Sequence, residues 1–100
     1  MSEGKRTQTV VVSNPQGLHA RPASLIMKVS NRFQSRIELI KGQERVDGKS
    51  ILEILTLGAT PGTNLVIEAD GPDAELALEA LAQLFTSNFG EAYEEQPPDG

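Results

Sequence analysis

Apolar residues along this chain change their period several times over short distances, and that alternation limits the folds open to it. Thr9-Val10-Val11-Val12-Ser13 is a β-branched run that stops at Asn14-Pro15-Gln16-Gly17, a loop signal by both proline and glycine. From Pro22 the positions Leu25, Ile26, Val29 and Phe33 fall at helical spacing while Lys28 and Arg32 can face water, which predicts a helix of about three turns. Arg36 to Ile40 then alternates, with Ile37 and Leu39 on one face, and Gly42 permits a turn into Glu44-Arg45-Val46. A hairpin is expected there.

Lys49-Ser50-Ile51-Leu52-Glu53-Ile54-Leu55 contains Ser-x-x-Glu, the spacing at which the serine oxygen and the glutamate satisfy each other's backbone N–H groups. A short helix is expected to start at Ser50 and to stop at Gly58. Thr60-Pro61-Gly62-Thr63 fits a type II turn, with proline second and glycine third. Leu65, Ile67 and Ala69 alternate with Asn64, Glu68 and Asp70, the pattern of a strand wet on one face. After Gly71-Pro72-Asp73 a last helix carries Ala74, Ala77, Leu78, Leu81, Leu84 and Phe85 on one stripe, with Glu75, Glu79 and Gln83 off it. The order strand, helix, strand, strand, short helix, strand, helix has loops too short for parallel crossovers. An α+β fold is expected, an antiparallel sheet covered on one face by helices.

With 38% hydrophobic and 4% aromatic residues, the chain has an aliphatic core of ordinary size for one domain. Without cysteine and with a single histidine, it supports neither a disulfide framework nor a zinc site. The polar start, Met1-Ser2-Glu3-Gly4-Lys5-Arg6, and the lack of a long apolar run predict a cytoplasmic protein with no membrane insertion. The net charge of -5 is concentrated in Glu91, Glu94, Glu95 and Asp99. Residues 1–90 are therefore expected to form the domain, nearly neutral, and 91–100 a disordered acidic tail. That balance, with few aromatics, does not suit nucleic-acid binding.

The chemistry concentrates in Gly17-Leu18-His19-Ala20-Arg21-Pro22-Ala23. The only histidine stands at an expected helix start, where backbone N–H groups lack intrahelical partners and the peptide dipoles favour an anion. A neutral imidazole there offers a nucleophilic lone pair, and Arg21 offers a forked donor set to an arriving phosphoryl group. Each residue also has a purely structural reading. His19 could cap the helix, Pro22 suits a first helical turn, and Gly17 could simply allow a close backbone approach. The combination is what carries information.

This heptad, followed about thirty residues later by Gly48-Lys49-Ser50-Ile51 and then by Thr56-Leu57-Gly58, resembles the HPr family of histidine phosphocarriers. The resemblance runs over nearly all of residues 7–89. It implies an open-faced sandwich, with a four-stranded antiparallel sheet under three helices in the order β-α-β-β-α-β-α. It also implies a carrier in the phosphoenolpyruvate-dependent phosphotransferase system, taking a phosphoryl group from enzyme I and passing it to an enzyme IIA protein or domain; transfer through one small docking face fits a monomer. Such a protein is a carrier with a covalent phosphohistidine intermediate rather than a stand-alone catalyst. His19 would accept the group on Nδ1, with Arg21 and the amides of Ala20 and Arg21 holding its oxygens. No metal or organic cofactor in this chain is implied.

Ser50 matches the family's regulatory serine, the target in some bacteria of an HPr serine kinase. Its capping position is a complete structural explanation as well. Ile51, Leu52 and Leu55 cannot all be buried by one short helix, so an apolar docking patch is expected, and Lys28 and Lys49 match the basic ring the family places around it. Glu53 and Gln16 depart from the family's pattern, which leaves partner choice open between sugar-transport and nitrogen-related branches. A regulatory binding module controlled through Ser50 or His19, and an inert domain with an incidental histidine, are the other two readings.

Overall fold

The computed structural model describes residues 4–90. Strand β1 (Lys5–Val11) leads to helix α1 (Ala20–Ser30), the hairpin β2 (Arg36–Lys41) and β3 (Glu44–Asp47), helix α2 (Ile51–Thr56), strand β4 (Asn64–Asp70) and helix α3 (Ala74–Thr86). The strands form one antiparallel sheet in the order β1-β4-β2-β3. This is the expected α+β order. The expected acidic tail lies outside the described residues.

One face of the sheet is buried in register: Val10 pairs with Leu65, Leu39 with Ile67, and Ile37 with Ala69, and all six are buried. Against them pack Ile26 of α1, Ile54 of α2, and Ala77, Leu78, Leu81 and Phe85 of α3. The other face carries charge. Glu38 and Glu68 stand directly opposite each other, an arrangement that is repulsive alone. Arg45 Nη1 bridges them at 2.6 and 3.3 Å, and these bonds hold its guanidinium pKa above the ordinary value.

Several boundaries differ from the sequence expectation. The first strand runs from Lys5 to Val11 rather than Thr9 to Ser13, because the polar residues Lys5 to Gln8 are held by the ladder to β4 and not by burial. Helix α1 starts at Ala20, placing Pro22 third in the first turn, and ends at Ser30 with Asn31 as its cap. Phe33 therefore lies beyond the helix, though it still packs on the core. Beyond α3, Asn88 and Phe89 both take left-handed conformations (φ 54° and 59°) that fold Phe89 back into the core. Its ring meets Phe85 edge-on at 4.9 Å.

One side-chain clamp and one tight turn fix connections between the elements. The side chain of Asp73, just ahead of α3, makes no cap hydrogen bond to its own helix. Its carboxylate accepts instead from the amides of Gln34 and Ser35 at 3.0 Å each and from Ser35 Oγ at 2.5 Å, fixing the α1–β2 loop. The Ser35 hydroxyl and the two amides hold the Asp73 carboxyl below its ordinary pKa. The type II turn at Thr60–Thr63 forms with Gly62 at φ 90° and a 3.1 Å bond from the Thr63 amide to the Thr60 carbonyl.

Candidate active site

The chain reaches His19 through a loop whose backbone is bonded at Val12, Asn14, Gly17 and Leu18. Val12 donates to the Thr63 carbonyl at 2.9 Å and accepts from the Gly62 amide at 2.7 Å, which anchors the end of β1 to the type II turn. Asn14, Pro15, Gln16 and Gly17 then form a turn closed by Gly17 N–H to the Asn14 carbonyl at 3.0 Å. Proline at its second position presets φ for that bend. Gly17 has φ 69°, and a methyl group in its place would collide with the Ala59 carbonyl oxygen. Both facts require glycine.

Leu18 is buried and donates its amide to that same Ala59 carbonyl at 3.0 Å. His19 follows, with its amide on the Gly17 carbonyl at 3.0 Å and its own carbonyl accepting from Ala23 at 3.0 Å. Pro22 and Ala23 are buried on the far side, so the backbone around His19 is fixed on both flanks while the residue itself stays half-exposed. His19 is the N-cap of α1, in extended conformation (φ -82°, ψ -166°), and its side chain makes no cap hydrogen bond. The capping explanation for this histidine is thereby removed.

The amides of Ala20 and Arg21 precede the first intrahelical bond, and Pro22 has no N–H to contribute. Ala20 and Arg21 are both exposed at the first two helical positions, where the helix end is positive. His19, Ala20 and Arg21 follow one another at the N-terminal end of α1, half-exposed, exposed and exposed in turn. A helix end of this kind favours an anion.

Helix α2 runs back along α1. At one end Asn31 Nδ2 donates to the Lys49 carbonyl at 3.3 Å, and at the other the Leu18 amide meets Ala59. Ser50 therefore lies near the C-terminal end of α1, an eleven-residue helix spanning about 16 Å from the His19 end. The structure does not bring Ser50 into the histidine site. Leu52 is 73% exposed and Leu55 38%, whereas Ile51 is half-buried and Ile54 fully buried. Lys28 is exposed, and Lys49 Nζ donates to the Phe33 carbonyl at 2.8 Å.

The capping box is only half formed. Ser50 Oγ accepts from the Glu53 amide at 3.3 Å, but Glu53 Oε1 accepts from the Asp47 amide at 2.9 Å instead of from Ser50. The Ser50 amide turns back to the Asp47 carbonyl at 3.1 Å, so the glutamate's expected donor is already taken. Asn14 was legible only as a loop former, yet its fully buried carboxamide donates to the Gly17 carbonyl at 2.6 Å. An Asn-Pro-x-Gly turn is the signal that could have singled it out.

The family model described as the PTS HPr component phosphorylation site matches residues 6–87. The chain belongs to the HPr family. It is 42% identical over 84 residues to the phosphocarrier protein HPr of Treponema pallidum (strain Nichols), covering 84% of this chain and 96% of that one. It is 38% identical to the phosphoryl donor subunit DhaM of the PEP-dependent dihydroxyacetone kinase of Providencia stuartii, over 90% of this chain but 19% of that one. The crystal structure of HPr-C-His from Thermoanaerobacter tengcongensis superposes with a TM-score of 0.83 at 40% identity, covering 86% of this chain and 97% of the other. As an HPr-type phosphocarrier of the phosphotransferase system, the chain carries its family's fold over nearly the whole described length. Among the described residues no helix is long and apolar enough to cross a membrane.

Proposed function

We propose that this HPr-family protein takes a phosphoryl group onto His19 from phospho-enzyme I and passes it to an enzyme IIA protein or domain. The observation that carries this reading is a half-exposed N-cap histidine whose side chain is not used for capping, with the Ala20 and Arg21 amides directly behind it. The imidazole lone pair forms a new N–P bond as the N–P bond of the donor's phosphohistidine breaks, and the donor ring leaves with the electron pair. Transfer onward reverses these roles. Little covalent chemistry is left for the protein, so position and charge do most of the work. Arg21 and the two amides hold the phosphoryl oxygens, and exposure of the site leaves the phosphorus open to the next nucleophile. Leu52 and Leu55 form the docking patch, with Ile51 at its buried margin and Lys28 and Lys49 as its basic neighbours. The likeness to a phosphoryl donor subunit supports a role in relaying the group. Incubation with phosphoenolpyruvate and enzyme I, followed by mapping of acid-labile, base-stable phosphate, tests the assignment.

A second reading concerns Ser50 as a site of regulatory phosphorylation by a serine kinase. It is favoured by the Glu53 carboxylate being engaged at Asp47 rather than at Ser50, and by the position of Ser50 beside the exposed Leu52. A phosphate there, one helix length from His19, acts on docking and not on the phosphoryl-binding amides.

A further inference from the structure

The loop before His19 contains one polar side chain that is completely buried, that of Asn14. Its Nδ2 donates to the Gly17 carbonyl at 2.6 Å, and its own carbonyl accepts from the Gly17 amide at 3.0 Å. Asn14 therefore grips Gly17 from both its side chain and its backbone. The Gly17 carbonyl has a second donor, the His19 amide at 3.0 Å. One oxygen thus collects the Asn14 carboxamide and the amide of the phosphoryl acceptor. With two donors converging on it, the peptide following Gly17 is held against rotation, although glycine at φ 69° imposes no side-chain restraint of its own. Through the His19 amide the same oxygen also holds the Leu18–His19 peptide, from which the His19 Cα–Cβ bond departs.

The other half of the carboxamide is informative. Asn14 Oδ1 is buried and has no hydrogen-bond partner among the described residues. The orientation is not interchangeable, because only the NH2 group can donate to the Gly17 carbonyl. An apolar side chain of the same size would fill this space without an orphaned acceptor, so stability alone does not explain an asparagine. A buried polar group with half its capacity unused is a fixture for geometry rather than for packing.

We propose that Asn14 is a positioning residue for phosphoryl transfer, its carboxamide acting through the Gly17 carbonyl to set the direction in which the His19 imidazole presents its lone pair. This rests on the reading of His19 as acceptor. It goes beyond that reading by assigning the aim of the ring to a residue that touches neither phosphate nor partner. Reactions dominated by positioning are sensitive to such aim, and a displacement of about 1 Å can lower a rate as much as 100-fold.

The test uses the full chain carrying Asn14→Leu, which keeps the branched four-atom skeleton and removes both the donor and the orphaned acceptor. Phosphoryl acceptance from phosphoenolpyruvate and enzyme I is followed against carrier concentration, with thermal unfolding and amide exchange of His19 measured alongside. The expected result is a maximal rate lower by about tenfold or more, an unchanged half-saturating concentration, and faster exchange of the His19 amide. The two methyl groups need more room than the carboxamide, so a lower melting temperature accompanies these changes and the rate and exchange are read well below it. Should the leucine variant not fold, Asn14→Ala gives the same comparison with only space left behind. An undiminished maximal rate with unchanged His19 exchange overturns the proposal, as does a loss confined to melting temperature. If the unsubstituted protein takes no phosphate on His19, the acceptor reading fails, while the exchange rate still decides whether Asn14 holds this peptide.

Discussion

The Leu18 amide donates to the Ala59 carbonyl at 3.0 Å, joining the residue just before His19 to the segment just after α2. The loop that carries His19 is thereby bonded to the segment that follows the helix exposing Leu52 and Leu55. On the proposed function, this bond registers a partner seated on the helix against the imidazole, as in-line transfer between two proteins requires.

Gly17 makes that approach possible, so Gly17→Ala is expected to damage both fold and transfer. The left-handed backbone costs a non-glycine residue about 1–2 kcal/mol, and the methyl group also has to displace the Ala59 carbonyl. For a domain of this size each kcal/mol lowers Tm by about 4–8 °C. Thermal unfolding checks the loss, and phosphoryl acceptance well below the new Tm is expected to be slower as well.

Asp73 gives the stability a dependence on acid. Its folded pKa is depressed by the Ser35 hydroxyl and the Gln34 and Ser35 amides, so the unfolded chain binds its proton more readily. The stabilisation is complete above the ordinary carboxyl value of 3.8 and fades as pH falls through the lower native value. Asp73→Ala is therefore expected to melt below the unsubstituted protein at neutral pH, by a margin that shrinks below about pH 4. Paired melts across pH 2–7 check this, and a margin independent of pH would contradict it.

The proposed docking patch predicts a contrast between two neighbours on α2. Leu52→Glu, at a 73% exposed position, is expected to change stability by no more than about 0.5 kcal/mol while raising KM for phospho-enzyme I. Ile54→Ala, at a fully buried one, is expected to cost about 2–5 kcal/mol. Measuring Tm and KM together separates the surface from the core.

At Ser50 the structural and regulatory roles come apart in two variants. Ser50→Ala loses a long 3.3 Å cap bond and is expected to cost toward the lower end of about 0.5–2 kcal/mol, with KM unchanged. Ser50→Asp keeps a capping oxygen and adds a negative charge beside Leu52, so KM is expected to rise while kcat holds. A fall in kcat at constant KM would place the effect at the histidine instead.

The element order, the antiparallel sheet and the helix start beside His19 were readable because each rests on local signals, namely periodicity and turn residues. Ser-x-x-Glu was read correctly as a helix start and incorrectly as a reciprocal box, since nothing local says that the Ser50 amide is already bonded to Asp47. Lys5 to Gln8 lacked a strand signal because an edge strand is held by its ladder to β4, a partner about sixty residues away. The Asp73 clamp and the Gly17–Ala59 approach likewise join segments 38 or more residues apart, which no window of sequence contains. Asn14 was visible as a turn former, but its burial depends on what packs over the loop.

The most direct test of the account is nitrogen-resolved NMR of the protein after treatment with phosphoenolpyruvate and enzyme I. It predicts one phosphoryl group, bonded to Nδ1 of His19, and none on a His19→Ala variant that melts like the original. Phosphate on another residue, or none at all with an enzyme I that phosphorylates a known HPr, would contradict it.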